Sequence, residues 1–505
     1  MNLLGLDVGS TGCKAIIFDP EGKILGSGFK EYGMIYDDRG KAEQDAEEIW
    51  TIVCDVIKIA LKSSGSNHIK ALSASVQGDG IIAVDSSFKP LHNAILGMDY
   101  RSKGFTAECA KIFGEKELFD ITGMRPHPMN SLTKLLWFKN SFPGLFSKTD
   151  KITTYSDFIL RKFTGKDTES VIDNTMASRT MAYDIHHRRF SADILQKLDL
   201  DGSIFSRPAP SGTVIGTISK DLMEEFGLKG DIEVVTGGHD QTCAAIGAGI
   251  IKEGIGLIST GTAEVMSSAF NKPRLDENMF KSYYPCYIHA KDDMFFTFSL
   301  NHVGGLLFKW FRDNFAQKEI QESRSDNIDT YEYLTNKMPK RPTDIFFLPH
   351  LNGSGTPLCD LSSKGAIVGL KVSHDKYDIV RAILESLSYE LKINIEAMSQ
   401  ADIKLEAFNS VGGGSKSSQW LQIKADILEK DITTLKNPEA ACLGAAILAG
   451  FGSGIYETIK EGVDITVKKD RTFSPDPAMV EKYRYNYGIY KDLYPSLRDI
   501  NNRLG

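Results

Sequence analysis

Short apolar runs ending in small polar turns recur along this 505-residue chain, separated by stretches with apolar positions at helical spacing. The run at 3–6 reads as a buried strand, and runs at 15–18 and 24–29 continue its sheet through the turn Asp19-Pro20-Glu21-Gly22. Apolar residues from 46 to about 62 follow a 3.6-residue period. Asp45 and Glu48 before them suit a variant of the capping box, and Ser63-Ser64-Gly65 closes the helix. Runs at 69–76 and 81–84 predict two further strands around Gln77-Gly78-Asp79-Gly80. The segment 100–230 reads as helix-rich and broken by Gly and Pro. The second half then repeats the logic. Strands are expected near 256–259 and 294–300, a long helix at about 377–398, a strand near 407–411, a glycine-rich turn, and a helix from 417 to about 428. Strands alternating with helices predict α/β layers. A boundary near 252–254 gives two domains, 1–249 and 250–505.

Two of the turns carry candidate chemistry. After the first strand comes Asp7-Val8-Gly9-Ser10-Thr11-Gly12-Cys13-Lys14. Gly9, Ser10 and Thr11 can bring backbone N–H groups and hydroxyls to a phosphate, and Lys14 adds a point charge. Asp7, at the strand end, can hold Mg²⁺ through water, because Mg²⁺ takes oxygen ligands and dehydrates reluctantly. Half a chain later, Ser259-Thr260-Gly261-Thr262 repeats the pattern. An ordinary hairpin explains either turn alone. The pair, each with an acid nearby, suggests two related domains facing each other across a nucleotide. Gly412-Gly413-Gly414-Ser415 lies between a strand and a helix, where missing Cβ atoms let a ring or ribose approach the backbone. It lacks Walker A spacing. The run from Glu439 to Ala446 opens a small-residue helix suited to tight packing or to a wall beside the nucleotide.

Asp240 follows two glycines and an apolar run, and can point into a cleft as the base that accepts a hydroxyl proton in phosphoryl transfer. The alternative is a cap on a helix starting near Thr242. His239 reads as a hydrogen-bonding neighbour of Asp240. Gln77, Asp79, Asp99 and Arg101 supply the mixed donors and acceptors that a sugar or polyol needs, although Asp99 and Arg101 also suit a plain ion pair. Asn301 is placed with this set on the cleft wall.

Composition narrows the partners. Hydrophobic residues make up 42% and charged residues 25%, with net charge −7. This is the balance of a soluble globular chain, without the basic surface of a nucleic-acid binder. Seven scattered cysteines without CxxC argue against disulfide frameworks and zinc sites and favour a cytoplasmic setting. No signal-peptide pattern or bilayer-length apolar run is present, so no membrane association is expected.

Several motifs resemble the FGGY carbohydrate kinases, which share the fold of actin and its ATPase relatives. Gly365-Ala366-Ile367-Val368-Gly369-Leu370 with 378–385 is similar to the family's C-terminal signature. The segment 129–138 is similar to the N-terminal one, departing at Ser141, and 347–353 resembles its Pro-x-Leu-x-Gly stretch. The resemblance spans nearly the whole chain. It implies two ribonuclease-H-like domains closing over ATP and a sugar. Asp7 would be the Mg²⁺-associated acid and Asp240 the catalytic base. Gly9, Ser10, Thr11, Lys14, Gly261, Thr262, Gly413, Gly414 and Ser415 would bind ATP. Gln77, Asp79, Asp99, Arg101 and Asn301 would bind the sugar. A homodimer is common in the family. Gln77-Gly78-Asp79-Gly80 lacks the histidine usual in xylulose-directed members, and His239-Asp240 is similar to deoxyhexulose-directed ones. The expected substrate is a small ketose, with a pentulose such as xylulose first. Polyol, gluconate and deoxyhexulose kinases are the alternatives, and a non-catalytic sensor of sugar or nucleotide stands further off.

Overall fold

A computed structural model describes residues 1–165 and 168–504. Two sheets of the same design organise the chain. In the first, Asn2–Val8 forms a hairpin with Gly12–Phe18, which pairs in turn with Ile24–Glu31. On its other side Asn2–Val8 runs parallel to Ile69–Val76, which runs parallel to Glu233–Val235 and Gly238–His239. In the second, Gly254–Thr260 forms a hairpin with Glu264–Phe270, and Phe295–Asn301 follows. On its other side Gly254–Thr260 runs parallel to Leu405–Gly412, and then Asp431–Leu435. Each half therefore opens with a tight hairpin and adds its parallel strands through long crossovers, as parallel pairing requires.

The helix Ala46–Ser64 covers one face of the first sheet. Asp45 caps it by accepting from the N–H groups of Glu47 and Glu48, and Gly65 ends it at φ +64°. Its buried stripe, Ile49, Val53, Val56, Ile57 and Ala60, follows the sequence period and faces the sheet core. The other face is covered by Ala440–Gly452, the small-residue helix. Though it follows the second sheet in the chain, this helix packs on the first. Its approach is close enough that a Cβ on Gly5 would lie 2.0 Å from the Cys442 carbonyl oxygen. Nothing larger than glycine fits at that strand position, and small residues along the helix make the contact possible.

The segment 100–230 carries the helices Lys103–Phe113, Ser131–Ser141 and Tyr155–Thr164, with short strand pairs that its sequence did not suggest. The strand Phe295–Asn301, the helix Lys376–Gln400 and the helix Ser418–Leu428 lie within a few residues of their expected positions. All seven cysteines are free thiols. No helix among the described residues is long and apolar enough to cross a membrane.

Candidate active site

The first hairpin sets Asp7 directly opposite Lys14 in the strand register. The turn between them is drawn tight: the Gly9 amide donates to the Gly12 carbonyl at 3.0 Å. The Tyr32 hydroxyl sits across both residues, 2.6 Å from the Gly9 oxygen and 3.1 Å from the Gly12 oxygen. On the neighbouring parallel strand, Ser75 stands beside Asp7 and donates to its carboxylate at 2.8 Å. Withdrawal from water raises the Asp7 pKa, while Ser75 and Lys14 oppose the rise.

Asp240 is the first residue of the helix Asp240–Gly247, and His239 precedes it as the N-cap. The capping alternative is thus not realised; the Asp240 carboxylate instead accepts from the Gln241 amide at 2.6 Å. About a third of its side chain, 35%, stays open to solvent. Surrounding protein on the remaining sides, and then the charge of Asp7, push its carboxyl up to about 7. The two acids of the sequence reading therefore share one electrostatic site.

His239 is held from three directions. Its backbone N–H donates to the Thr175 hydroxyl at 2.7 Å. That hydroxyl donates to the buried Asp173 carboxylate at 2.5 Å, which also receives Ser156 at 2.7 Å and the Met176 amide at 2.9 Å. Its Nδ1 lies 3.1 Å from the hydroxyl of Tyr287, a residue of the second half. Its Nε2 lies 3.1 Å from the Asp240 carboxylate. Burial, and then the charge of Arg179, drive the imidazole pKa far below its ordinary value, so the ring is neutral. A neutral ring suits this setting: it presents one N–H and one lone pair, with Nδ1 bonded to the Tyr287 hydroxyl and Nε2 facing Asp240.

The expected sugar residues fall into two buried clusters. Asp79, at φ +64°, is gripped by Arg179, with Nε at 3.1 Å and Nη2 at 2.5 Å. Both side chains are almost fully buried, and the guanidinium lies against the rings of Tyr287 and Phe298. Asp99 is gripped by Arg101 at 2.6 Å, and Arg101 also reaches Glu43 at 2.6 Å and stacks on Trp137. Asp99 also accepts from the Ala42 amide. The pairing of Asp99 with Arg101 is real, with Asp99 buried and Arg101 only partly exposed rather than both on the open surface. Lys134 senses both Asp79 and Asp99. It is wholly buried, donates to the carbonyls of Pro128 and Met129, and is pushed down to about 7 by its burial. Gln77 donates to Gln44 at 3.1 Å, and Gln44 donates to the Ser10 carbonyl at 2.8 Å, which ties this wall to the first turn. Asn301 ends its strand with a buried Nδ2 that has no partner among the described residues. Sequence reasoning assigned no role to Arg179, Lys134 or Tyr287. The motif 129–138 contained Lys134, but nothing local distinguishes a wholly buried lysine from a surface one.

Beside the second hairpin lies a cavity of about 780 Å³, a volume suited to a nucleoside-sized ligand. Thr260, Gly261, Thr262, Gly413, Gly414 and Trp420 are among the residues that line it. The second turn is drawn in like the first, with the Gly261 amide donating to the Ala263 carbonyl at 2.9 Å. In both turns, then, the leading glycine closes the turn with its own amide. Ser415 does not line the cavity; its hydroxyl donates back to the Gly412 carbonyl at 2.7 Å. Lys14 of the first turn reaches Glu439, just before the small-residue helix, at 2.8 Å.

Known proteins are similar along nearly the whole chain. The model for the N-terminal domain of the FGGY family of carbohydrate kinases matches residues 2–247, and that for the family's C-terminal domain matches 256–453. A xylulose kinase of Bacillus subtilis is 30% identical over 99% of this chain and 98% of its own. The solved structure of a ligand-bound xylulose kinase from Lactobacillus acidophilus is similar with a TM-score of 0.89, 25% identity and full coverage of both chains. A gluconate kinase from the same organism has a TM-score of 0.89 and 25% identity, covering 100% of this chain and 99% of its own.

Proposed function

The chain belongs to the FGGY family of carbohydrate kinases, a membership that makes it an ATP-using sugar phosphotransferase, and we propose that its acceptor is a small ketose, a pentulose such as xylulose. The observation that carries the site assignment is the register of three adjacent strands, in which Ser75 stands between Asp7 and Gly238 and so brings Asp240 within electrostatic reach of Asp7. Full-length similarity to xylulose kinases supports the pentulose.

Asp240 is the base in this reading. It accepts the proton of the attacking hydroxyl as the oxygen bonds to the γ-phosphorus and the bond to the ADP oxygen breaks. His239, held by Thr175 and Tyr287, keeps the carboxylate in place. Lys14 and the turns 9–11 and 261–262 surround the phosphates. Gly413 and Gly414 lie against adenosine in the cavity. Asp7, with its oxygen-donor neighbour Ser75, fits Mg²⁺. Among the described residues no three His, Cys, Asp or Glu side chains gather into a metal site, so a cation here would keep waters, as Mg²⁺ does. When bound, Mg²⁺ would supply charge neutralisation to the phosphates. Gln77, Asp79, Asp99, Arg101 and Asn301 form the sugar wall, with Arg179 and Lys134 behind it. We place the domains at 1–249 and 250–505, the enzyme in the cytoplasm, and its assembly as a homodimer.

Gluconate is the second reading. Arg179 keeps a buried Nη1 with no partner among the described residues beside the sugar wall, a donor that a carboxylate could take up. Coupled ADP production across ketopentoses, ketohexoses, aldonates and polyols separates the two. A ketopentose well above background supports the proposal, and turnover confined to aldonates overturns it. Asp240→Asn should lower kcat by about 10²–10⁴-fold with unchanged folding; full activity in that variant would remove Asp240 from the mechanism.

A further inference from the structure

The two phosphate-facing hairpins are each tied by one lysine–glutamate pair, and the pairs differ in kind. Lys14–Glu439 is about one-third exposed on both sides. Lys424–Glu264 is entirely buried, with Nζ 2.6 Å from Oε1. Glu264 is the residue that closes the second hairpin, directly opposite Thr260 in register. The Thr260 hydroxyl donates to the same Glu264 oxygen at 2.7 Å and accepts from Lys424 at 2.9 Å. Lys424 sits in the helix Ser418–Leu428, one turn from Trp420, and its ammonium lies 4.2 Å from the Trp420 ring centroid. Thr260 and Trp420 both line the 780 Å³ cavity. The glycine turn rests on the same threonine: a Cβ on Gly414 would lie 2.6 Å from the Thr260 Cβ.

Three separate pieces of the cavity therefore meet at one buried triad: the phosphate turn, the glycine turn and the helix that follows it. A buried ion pair adds little to stability compared with apolar side chains of similar volume, because desolvation offsets the attraction. Its directional bonds do something packing cannot. They fix the hairpin turn 260–264 at a set distance and angle from the helix. We propose that Lys424, Glu264 and Thr260 form a positioning lock that presets the second phosphate turn for nucleotide, while the exposed Lys14–Glu439 pair leaves Lys14 free to exchange its carboxylate for phosphate. The lock rests on the reading of this cavity as the nucleotide site.

The test uses ADP binding by calorimetry on the full chain, with ATP and sugar KM values measured beside it. Lys424→Met combined with Glu264→Leu replaces the pair with apolar side chains and leaves no buried charge unpaired. The lock requires this variant to fold with a thermal midpoint near the parent's, to bind ADP at least 10-fold more weakly, and to keep its sugar KM within about twofold. Weaker packing alone would lower the active fraction and hence the apparent kcat, without changing ADP affinity. If the double variant fails to fold, Thr260→Val, which removes only the shared hydroxyl, carries the same readout. ADP affinity equal to the parent's in a folded variant overturns the lock. A parent that binds no ADP overturns instead the nucleotide reading of the cavity.

Discussion

Replacing Arg179 with methionine tests the electrostatics beneath the proposed sugar wall. The parent pair is almost dry, with side-chain exposure of 2% for Arg179 and 4% for Asp79. Two charge-assisted hydrogen bonds hold the carboxylate, and two aromatic rings face the guanidinium. Methionine fills much of the same volume but leaves Asp79 buried with no cation gripping it. Breaking one side of a buried pair costs about 3–5 kcal/mol. For a cooperative unit of roughly 150–250 residues, each kcal/mol lowers the melting midpoint by about 2–4 °C. The expected drop is therefore about 6–20 °C, measured by calorimetry at pH 7.5. One control sharpens the result. Asp79→Asn added to Arg179→Met removes the stranded charge and should recover more than half of the loss. Activity should fall with stability, since Gly78 and Asp79 pack directly against His239 and Arg179. An Arg179→Met protein melting within about 2 °C of the parent would refute the reasoning, for it would mean that water reaches Asp79 freely.

Two further outcomes follow from the site and the fold. With its carboxyl pushed up to about 7 by burial and Asp7, Asp240 loses its basic form as pH falls, so kcat/KM should decline below about pH 7 and level off above it; a profile flat down to about pH 5.5 would exclude Asp240 as the titrating base. Gly5→Ala drives a methyl into the Cys442 carbonyl at 2.0 Å, forcing the helix Ala440–Gly452 off its strand; thermal unfolding should register a loss of about 1–3 kcal/mol, and an unchanged midpoint would mean that the helix is not seated as described.

Much of this protein was legible along the chain, because it rests on local chemistry. Apolar period, caps and glycines located the first strands, the helix Ala46–Ser64 and the long helix Lys376–Gln400. The two small-residue turns announced a pair of hairpins, and the two sheets built on them share one design. Asp7 and Asp240 stood out because each ends an apolar run at a turn. Even the family was readable from its signatures, and the domain matches across 2–247 and 256–453 agree with it.

What the chain concealed lies at long range. Arg179 meets Asp79 across 100 residues, and Lys424 meets Glu264 across 160. No local pattern separates such a lysine or arginine from one facing water, since burial is a property of the packed interior and not of the segment. Tyr287 reaches His239 only because the second half lies against the first. Ser415 looked like a cavity donor until folding turned its hydroxyl back onto Gly412. Sequence alone determined the main strands and helices, the turns and the acids at their ends, since short-range sterics and hydrophobic period decide those, but not the short strand pairs of 100–230. Tertiary structure decided which charges are paired, which are stranded and which face the cleft, because water is excluded only once the two halves have come together.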